Sequence, residues 1–258
     1  MAWLTKRQVL QPAAIFGLIL LHLLAPGALA DSSRTLKDIR DSGRLIVGVD
    51  IPYGVMEFYG KDGKPAGIDI DIAKAIAAGI GVTAQYQAMP FDNLFGALND
   101  NKVDVVVSAV TITRERQKTL LFSAPYLSAS TVIAVAKTNK AVNSIADIKN
   151  GKLGVLKGTL GETLANKSEL LNGMTVNAYT DNDRRIEDLV SGKIDAAVVH
   201  FLVKTNLPIK IIGQPLRQNF YGIVAGKQSE ALMSEVDKTL RAMKRDGRLM
   251  AIKKRYIK

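Results

Sequence analysis

Several short apolar runs in this 258-residue chain end on polar side chains of complementary kinds. Asp50 directly follows the run Leu45–Val49, Ser108 and Thr111 follow Val103–Val107, and His200 follows Ala196–Val199. Gly158-Thr159-Leu160-Gly161 follows Lys152–Leu156 and opens a helical pattern. Ligands of open α/β sheets bind beyond the carboxyl ends of strands, so these are the positions where chemistry belongs. The set offers an anion, hydroxyls, an imidazole and the free N–H groups of a helix start, which favour a bound anion. Arg116 lies close enough to Ser108 in sequence to fold back over the same place. A guanidinium fork flanked by hydroxyls and free N–H groups suits a carboxylate, and Asp50 suits an ammonium. Taken singly, Asp50 reads equally as a turn residue and Arg116 as one member of the solvated charge run Arg114–Lys118.

The elements that must carry these residues follow from the alternation of short apolar runs with helical patterns, the signature of an α/β domain with mainly parallel strands. Further strands are expected at Val82–Gln87, Thr131–Ala136, Thr175–Tyr179, Lys210–Ile212 and Gly222–Ala225. Asp69 is expected to cap a helix with an apolar face of Ile72, Ala75, Ile76 and Gly79, and Ser229 to cap the amphipathic stretch Glu230–Asp246. One segment echoes another: Ala97-Leu98-Asn99-Asp100-Asn101-Lys102-Val103-Asp104 resembles Asp188-Leu189-Val190-Ser191-Gly192-Lys193-Ile194-Asp195. Each reads as a helix end, a tight turn, Lys-apolar-Asp and then a buried strand. Two copies of one supersecondary step suggest two similarly built lobes.

Residues 1–30 contain Lys6 and Arg7, an apolar run from Ala13 to Ala25 and the small-x-small triplet Ala28-Leu29-Ala30. This pattern reads as a secretory signal cleaved after Ala30. Its apolar run falls short of the roughly 20 residues that span a bilayer, and Pro26-Gly27 interrupts it. The chain from Asp31 onward has room for two lobes of about 100 residues, each burying its own core. It contains no cysteine, which excludes disulfides, thiolate metal sites and a lipid-modified N-terminal cysteine. An exported protein without a lipid anchor is retained by an outer barrier, so the periplasm is the expected compartment. The formal charge is +11, but basic residues are spread along the chain and aromatic residues make up only 6%. That pattern suits a solvated surface attracting anions better than a nucleic-acid groove, and no nucleic-acid partner is expected. Lys244, Arg245, Arg248, Lys253, Lys254 and Arg255 read as a solvated face. His200 is the one histidine after the signal, and no carboxylates cluster at ligand spacing, so no metal or other cofactor is expected.

The stretches Leu45-Ile46-Val47-Gly48-Val49-Asp50-Ile51-Pro52-Tyr53, Gly67-Ile68-Asp69-Ile70-Asp71-Ile72-Ala73-Lys74-Ala75-Ile76, Thr111-Ile112-Thr113-Arg114-Glu115-Arg116 and Phe122-Ser123-Ala124-Pro125-Tyr126 come in an informative order. Together they resemble the bacterial extracellular solute-binding proteins of family 3, the polar amino-acid binding proteins of ATP-driven uptake systems. The likeness covers essentially the whole chain after the signal. It implies the periplasmic binding protein type 2 fold, two Rossmann-like α/β lobes joined by a two-segment hinge. Residues 31–125 and 222–258 would form lobe 1, residues 131–216 lobe 2, and the crossings would fall at 126–130 and 217–221. Motif matching puts Asp50 on the position that holds the ligand ammonium, and Tyr53 and Phe91 on the aromatic pair that sandwiches the ligand. Ser108 and Thr111 match polar contacts, and Arg116 matches the carboxylate clamp. In lobe 2, Thr159, Leu160 and Gly161 match the helix-start loop that receives the same carboxylate, and Leu156 matches a wall of the side-chain pocket. Two departures stand out. Leu160 occupies a place where many relatives carry a hydroxyl, and His200 a place where they usually carry a second Asp for the ammonium.

The resemblance implies a periplasmic substrate-binding component of an ABC-type uptake system, a monomer without chemistry of its own. It would take a small carboxylate-bearing ligand, an amino acid or a close analogue, and deliver it to a membrane-embedded permease. The alternative is an enzyme resembling periplasmic cyclohexadienyl dehydratases, with the His200 imidazole as general acid. An ordinary histidine titrates near 6.5. An ammonium beside His200 would therefore make affinity weaken on acidification, and a second carboxylate would do the reverse.

Overall fold

The computed structural model describes residues 34–201 and 207–257; the expected signal segment and its cleavage site after Ala30 lie outside them. The chain opens with α1 (Leu36–Ser42), β1 (Arg44–Val49), a small ribbon of β2 (Phe58–Tyr59) and β3 (Pro65–Ala66), and α2 (Ile68–Ile80). It continues through β4 (Thr83–Ala88), α3 (Phe91–Asn99), β5 (Val105–Val106), α4 (Arg114–Thr119) and β6 (Leu120–Phe122). Then come β7 (Leu127–Ala136), β8 (Lys152–Leu156), α5 (Leu160–Lys167), β9 (Thr175–Tyr179), α6 (Asn182–Val190), β10 (Ala196–Phe201) and β11 (Ile209–Tyr221). The chain returns through β12 (Val224–Gly226), α7 (Glu230–Arg245) and α8 (Arg248–Tyr256).

Two five-stranded sheets result, in the orders β4-β1-β5-β12-β6 and β11-β7-β10-β8-β9. They form two Rossmann-like α/β lobes, lobe 1 around the first sheet and lobe 2 around the second. Parallel strands need apolar cover on both faces, and the clusters supply it. In lobe 1, Val47 and Val105 pack with Ile72 and Ile76 of α2 and Val236 and Leu240 of α7, while Val106 packs with Phe91, Leu94 and Leu98 of α3. In lobe 2, Leu153 and Val155 pack with Ala165 of α5, and Val132 and Ala197 pack with Ile186 and Leu189 of α6.

The expectation of mainly parallel strands holds for part of each sheet. β4-β1-β5 and β10-β8-β9 are parallel, and the remaining neighbours are antiparallel. In lobe 2 the antiparallel part runs well beyond the apolar runs, because β7 and β11 are longer than they are. They pair from Leu127↔Tyr221 to Ala136↔Ile209, with a register shift between Ile212 and Arg217. The run Lys210–Ile212 is therefore one end of a long strand, and Gly222 lies outside β12. The run Val103–Val107 is buried throughout, but its strand is only Val105–Val106. Single bonds from Asp104 N–H to Ile46 O and from Val107 N–H to Gly48 O flank it.

Asp69 does not cap α2. Gly67 does, at φ +129, where a Cβ would stand 2.2 Å from the Met56 carbonyl oxygen, so only glycine fits. Asp69 sits inside the first turn, fully buried, and its carboxylate accepts the Ala109 N–H at 2.5 Å. Ser229 stands at the N-cap of α7, but its side chain makes no capping bond.

The sequence echo is a structural repeat. Asn101 and Gly192 both take the left-handed conformation, at φ 56 and 78. Lys102 N–H reaches back to Ala97 O, and Lys193 N–H to Asp188 O, each at 2.9 Å, the helix-terminating motif that a left-handed residue allows. The following aspartates then do the same work. Asp104 accepts the Ile46 N–H of β1 and donates its own N–H to Ile46 O, while Asp195 does both with Lys152 of β8.

Candidate binding cleft

The repeat brings the carboxyl ends of β1 and β5 in lobe 1 and of β8 and β10 in lobe 2 to one cleft. Tyr53, Phe91, Ser108, Thr111 and Arg116 line it from lobe 1; Leu156, Thr159, Leu160 and His200 line it from lobe 2. Ala109, not expected from the sequence, lines it as well. Asp50 and Gly161 do not line it: Asp50 is 7% exposed and Gly161 is buried against Val198.

Arg116 lies in α4, whose N-cap Thr113 accepts the Arg116 N–H and so fixes where the side chain starts. Its Nη1 donates to Thr111 O and its Nη2 to Gly158 O, both at 2.9 Å, so the guanidinium bridges the two lobes. It lies over the rings of Phe95, at 4.9 Å, and Phe91, at 5.5 Å, an attraction that strengthens where water is excluded. Burial lowers its pKa to about 10, which leaves it charged at neutral pH. Phe95 gave no strand-end signal in the sequence; its helical spacing from Phe91 was the one available clue.

Across the cleft, the hydroxyl of Thr159 caps α5 by accepting the Glu162 N–H, and it donates to Leu156 O at 2.6 Å. The N–H groups of the first turn of α5, beginning at Leu160, have no intrahelical acceptor. Thr159 takes that of Glu162, and Leu160 itself lines the cleft. Gly158 has φ +75, and a Cβ there would lie 3.1 Å from Asp92 of lobe 1. Lys157 pairs with Asp92 at 2.9 Å.

His200 meets Tyr53 across the same gap, Nδ1 to hydroxyl at 2.9 Å, while its Nε2 is buried without a partner. Burial, then Arg185, then Arg116, push its pKa down to about 3. The expected titration near 6.5 is thus absent from this closed arrangement: the imidazole is neutral. Arg185 was missed because it is an interior position of α6. Its Nη1 donates to Val198 O and its Nη2 to Asn182 Oδ1, at 2.6 and 2.7 Å.

Behind the cleft wall lies a second group that strand ends did not reveal. Glu57 and Asp69 are both fully buried, and Ser108 and Tyr126 stand beside them. Burial pushes both carboxyls up, Asp69 to about 7, and the Asp69 charge raises Glu57 further, while hydrogen bonds from Tyr126, Ala109 and Glu57 hold Asp69 back. Two facing carboxylates have no proton to share unless one is protonated, so the pair retains a proton into the neutral range. Asp69 holds Ala109 in a left-handed conformation, φ 43, and Ser108 accepts the Asp50 N–H at 3.0 Å. The acids thereby brace the segment that presents Ser108 and Thr111 to the cleft. Asp50 is itself pushed up to about 7, by burial first and then by Asp181 and Asp92.

The chain is similar to known proteins in sequence and fold. The L-cystine-binding protein TcyJ of Escherichia coli (strain K12) is 30% identical over 228 residues, 86% of this chain and 85% of its own. A mutant of ArgBP from T. maritima superposes with a TM-score of 0.79 at 30% identity, over 86% of this chain and 98% of that one. The ancestral amino acid-binding protein AncCDT-1, a precursor of cyclohexadienyl dehydratase, gives 0.79 at 31% identity over 86% and 99%. The profile of the bacterial extracellular solute-binding proteins, family 3, matches residues 45–258. Two lobes, a shared cleft at their strand ends and this match lead to one conclusion: the chain belongs to the bacterial extracellular solute-binding proteins of family 3.

Proposed function

We propose that this protein is the periplasmic substrate-binding component of an ABC-type uptake system, and that its ligand is an amino acid or an amino-acid-like carboxylate. The observation that carries the reading is Arg116, a half-buried guanidinium held by one carbonyl from each lobe at the mouth of a helix start. A carboxylate at that point meets a charge-assisted fork and free N–H groups at once, and it rewards closure of the lobes. Residues 1–30 are the export signal, cleaved after Ala30. Residues 31–125 with 222–258 and residues 131–216 are the lobes, and 126–130 and 217–221 the hinge. In support, β7 and β11 begin and end at Leu127 and Tyr221, paired with each other. The mature protein acts as a monomer and delivers its ligand to a membrane-embedded permease.

A thermal-shift screen over amino acids, opines and small organic acids tests the reading, since ligand at 100 times its dissociation constant adds about 2.7 kcal/mol. Arg116→Ala is expected to cost roughly 2–5 kcal/mol of binding while the protein still melts cooperatively. Affinity retained within about threefold would remove Arg116 from the site. The dehydratase alternative needs a proton donor in the cleft. His200 is held neutral, and Asp50, which titrates at about 7, does not line the cleft. Incubation with prephenate is expected to yield no phenylpyruvate.

A further inference from the structure

The cleft lining is asymmetric in charge. Arg116 is its one charged side chain, and no carboxylate lines it among the described residues. The undescribed stretch that follows β10 cannot supply one, because the sequence has no Asp or Glu between Asp195 and Glu230. Asp50 has a buried Oδ2 without a partner, but its charge acts on Arg185 and not on His200, and Glu57 and Asp69 are fully buried behind Ser108 and Ala109. The charges that bear on His200 are both positive, those of Arg185 and Arg116. An α-ammonium brought to Nε2 of His200 would lose its water and meet two guanidinium fields, with the acids acting on Tyr53 and not on that ring, and a buried charge without a paired partner is strongly disfavoured. An uncharged oxygen substituent has the opposite fit. Nε2 of His200 is a buried ring nitrogen without a partner. It donates if Tyr53 donates to Nδ1, and it accepts if Nδ1 donates to Tyr53. A hydroxyl satisfies either tautomer, and a carbonyl satisfies the first. The lining from Phe91, Leu156 and Leu160 leaves an apolar space for the rest of the molecule.

We propose that the ligand is a carboxylate without an ammonium, a 2-hydroxy or 2-oxo acid whose oxygen substituent meets Nε2 of His200 while its carboxylate takes Arg116. This rests on the reading of the cleft as a carboxylate site and narrows it. The test compares compounds of one carbon skeleton on the full chain after residue 30: leucine against 2-hydroxyisocaproate and 2-oxoisocaproate, phenylalanine against 3-phenyllactate, and arginine against its 2-hydroxy analogue. Dissociation constants are measured by calorimetry for the wild type, Arg116→Ala, His200→Asp and His200→Asn. The expected result is that the oxygen-substituted acid binds at least tenfold tighter than its amino-acid counterpart in each skeleton that binds. His200→Asp should reverse the preference, and His200→Asn should preserve it. Amino acids that bind the wild type as tightly as their counterparts, in an Arg116-dependent manner, would overturn this inference and leave the carboxylate-site reading standing. Binding of no compound in the set would overturn both. The wild-type comparison decides even if His200→Asp fails to fold, which circular dichroism melting will report.

Discussion

At the scale of single residues, the strongest physical constraint is the acid pair that braces the cleft. Glu57 and Asp69 bind protons more tightly in the folded chain than in the unfolded one, because burial disfavours both charges and the Asp69 charge further disfavours that of Glu57. The sign follows from proton linkage. Between the ordinary carboxylate range near 4 and the raised value of about 7, the folded state holds more protons, so stability falls as pH rises. Asp50, also raised to about 7, adds to the same slope, while His200, pushed down to about 3, opposes it below the ordinary value near 6.5 without cancelling the three acids. The melting temperature of the ligand-free protein is therefore expected to drop between about pH 5 and pH 7.5, and Glu57→Gln should shrink that drop by removing one of the charges. A wild-type melting temperature that is flat or rising across this window would show that the pair is not buried as described. Arg116, Ser108 and His200 were legible in the sequence because each follows a strand or its loop. Glu57, Arg185 and Phe95 were not, because an interior position carries no strand-end signal and declares itself only through what packs around it.

At the scale of elements, the repeated helix-turn-strand step links sequence to site most directly. Its two aspartates perform the same backbone clamp in different solvent, and this separates their energetic weight. Asp104 is buried, accepts the Ile46 N–H at 2.7 Å and takes the Arg34 guanidinium at 2.6 Å. Asp195 is exposed and accepts the Lys152 N–H at 2.7 Å. Removing a carboxylate strands a buried donor in the first case and offers it to water in the second. Asp104→Ala is expected to cost about 1–3 kcal/mol, and Asp195→Ala no more than about 1 kcal/mol. Equal losses in denaturant titrations would contradict this account. The echo was readable because turn chemistry is local: Asn101 and Gly192 are residue types that tolerate a left-handed backbone. The lengths of β7 and β11 were not readable. Their ladder joins segments far apart in the chain, and Arg217–Tyr221 carries too many polar residues to announce a strand. Asp69 misled for a related reason: an acid at a helix start suggests a cap, whereas here the close approach of Met56 reserves the cap for glycine and turns the acid inward.

At the scale of the whole molecule, the lobes touch through few polar groups. Arg116 reaches Gly158 O, Lys157 reaches Asp92, and Tyr53 reaches His200. The Lys157–Asp92 pair is half exposed on the lysine side, and such pairs contribute only about 0–1 kcal/mol. Leu156 of lobe 2 packs with Phe91 of lobe 1 as well, and a ligand that binds the shut form better shifts the balance toward it. The position between those contacts, Gly158, then acquires a role beyond the Arg116 bond that its carbonyl accepts. A methyl group there would press on the backbone of Asp92 at 3.1 Å and strain a left-handed residue, while touching none of the groups proposed to read the ligand. It would act as a doorstop, lowering the fraction of molecules able to shut. Apparent affinity scales with that fraction, so Gly158→Ala should weaken every ligand by one common factor and leave their ranking untouched. A single glycine would in this way set how readily the protein gives up its cargo, independently of which cargo it selects.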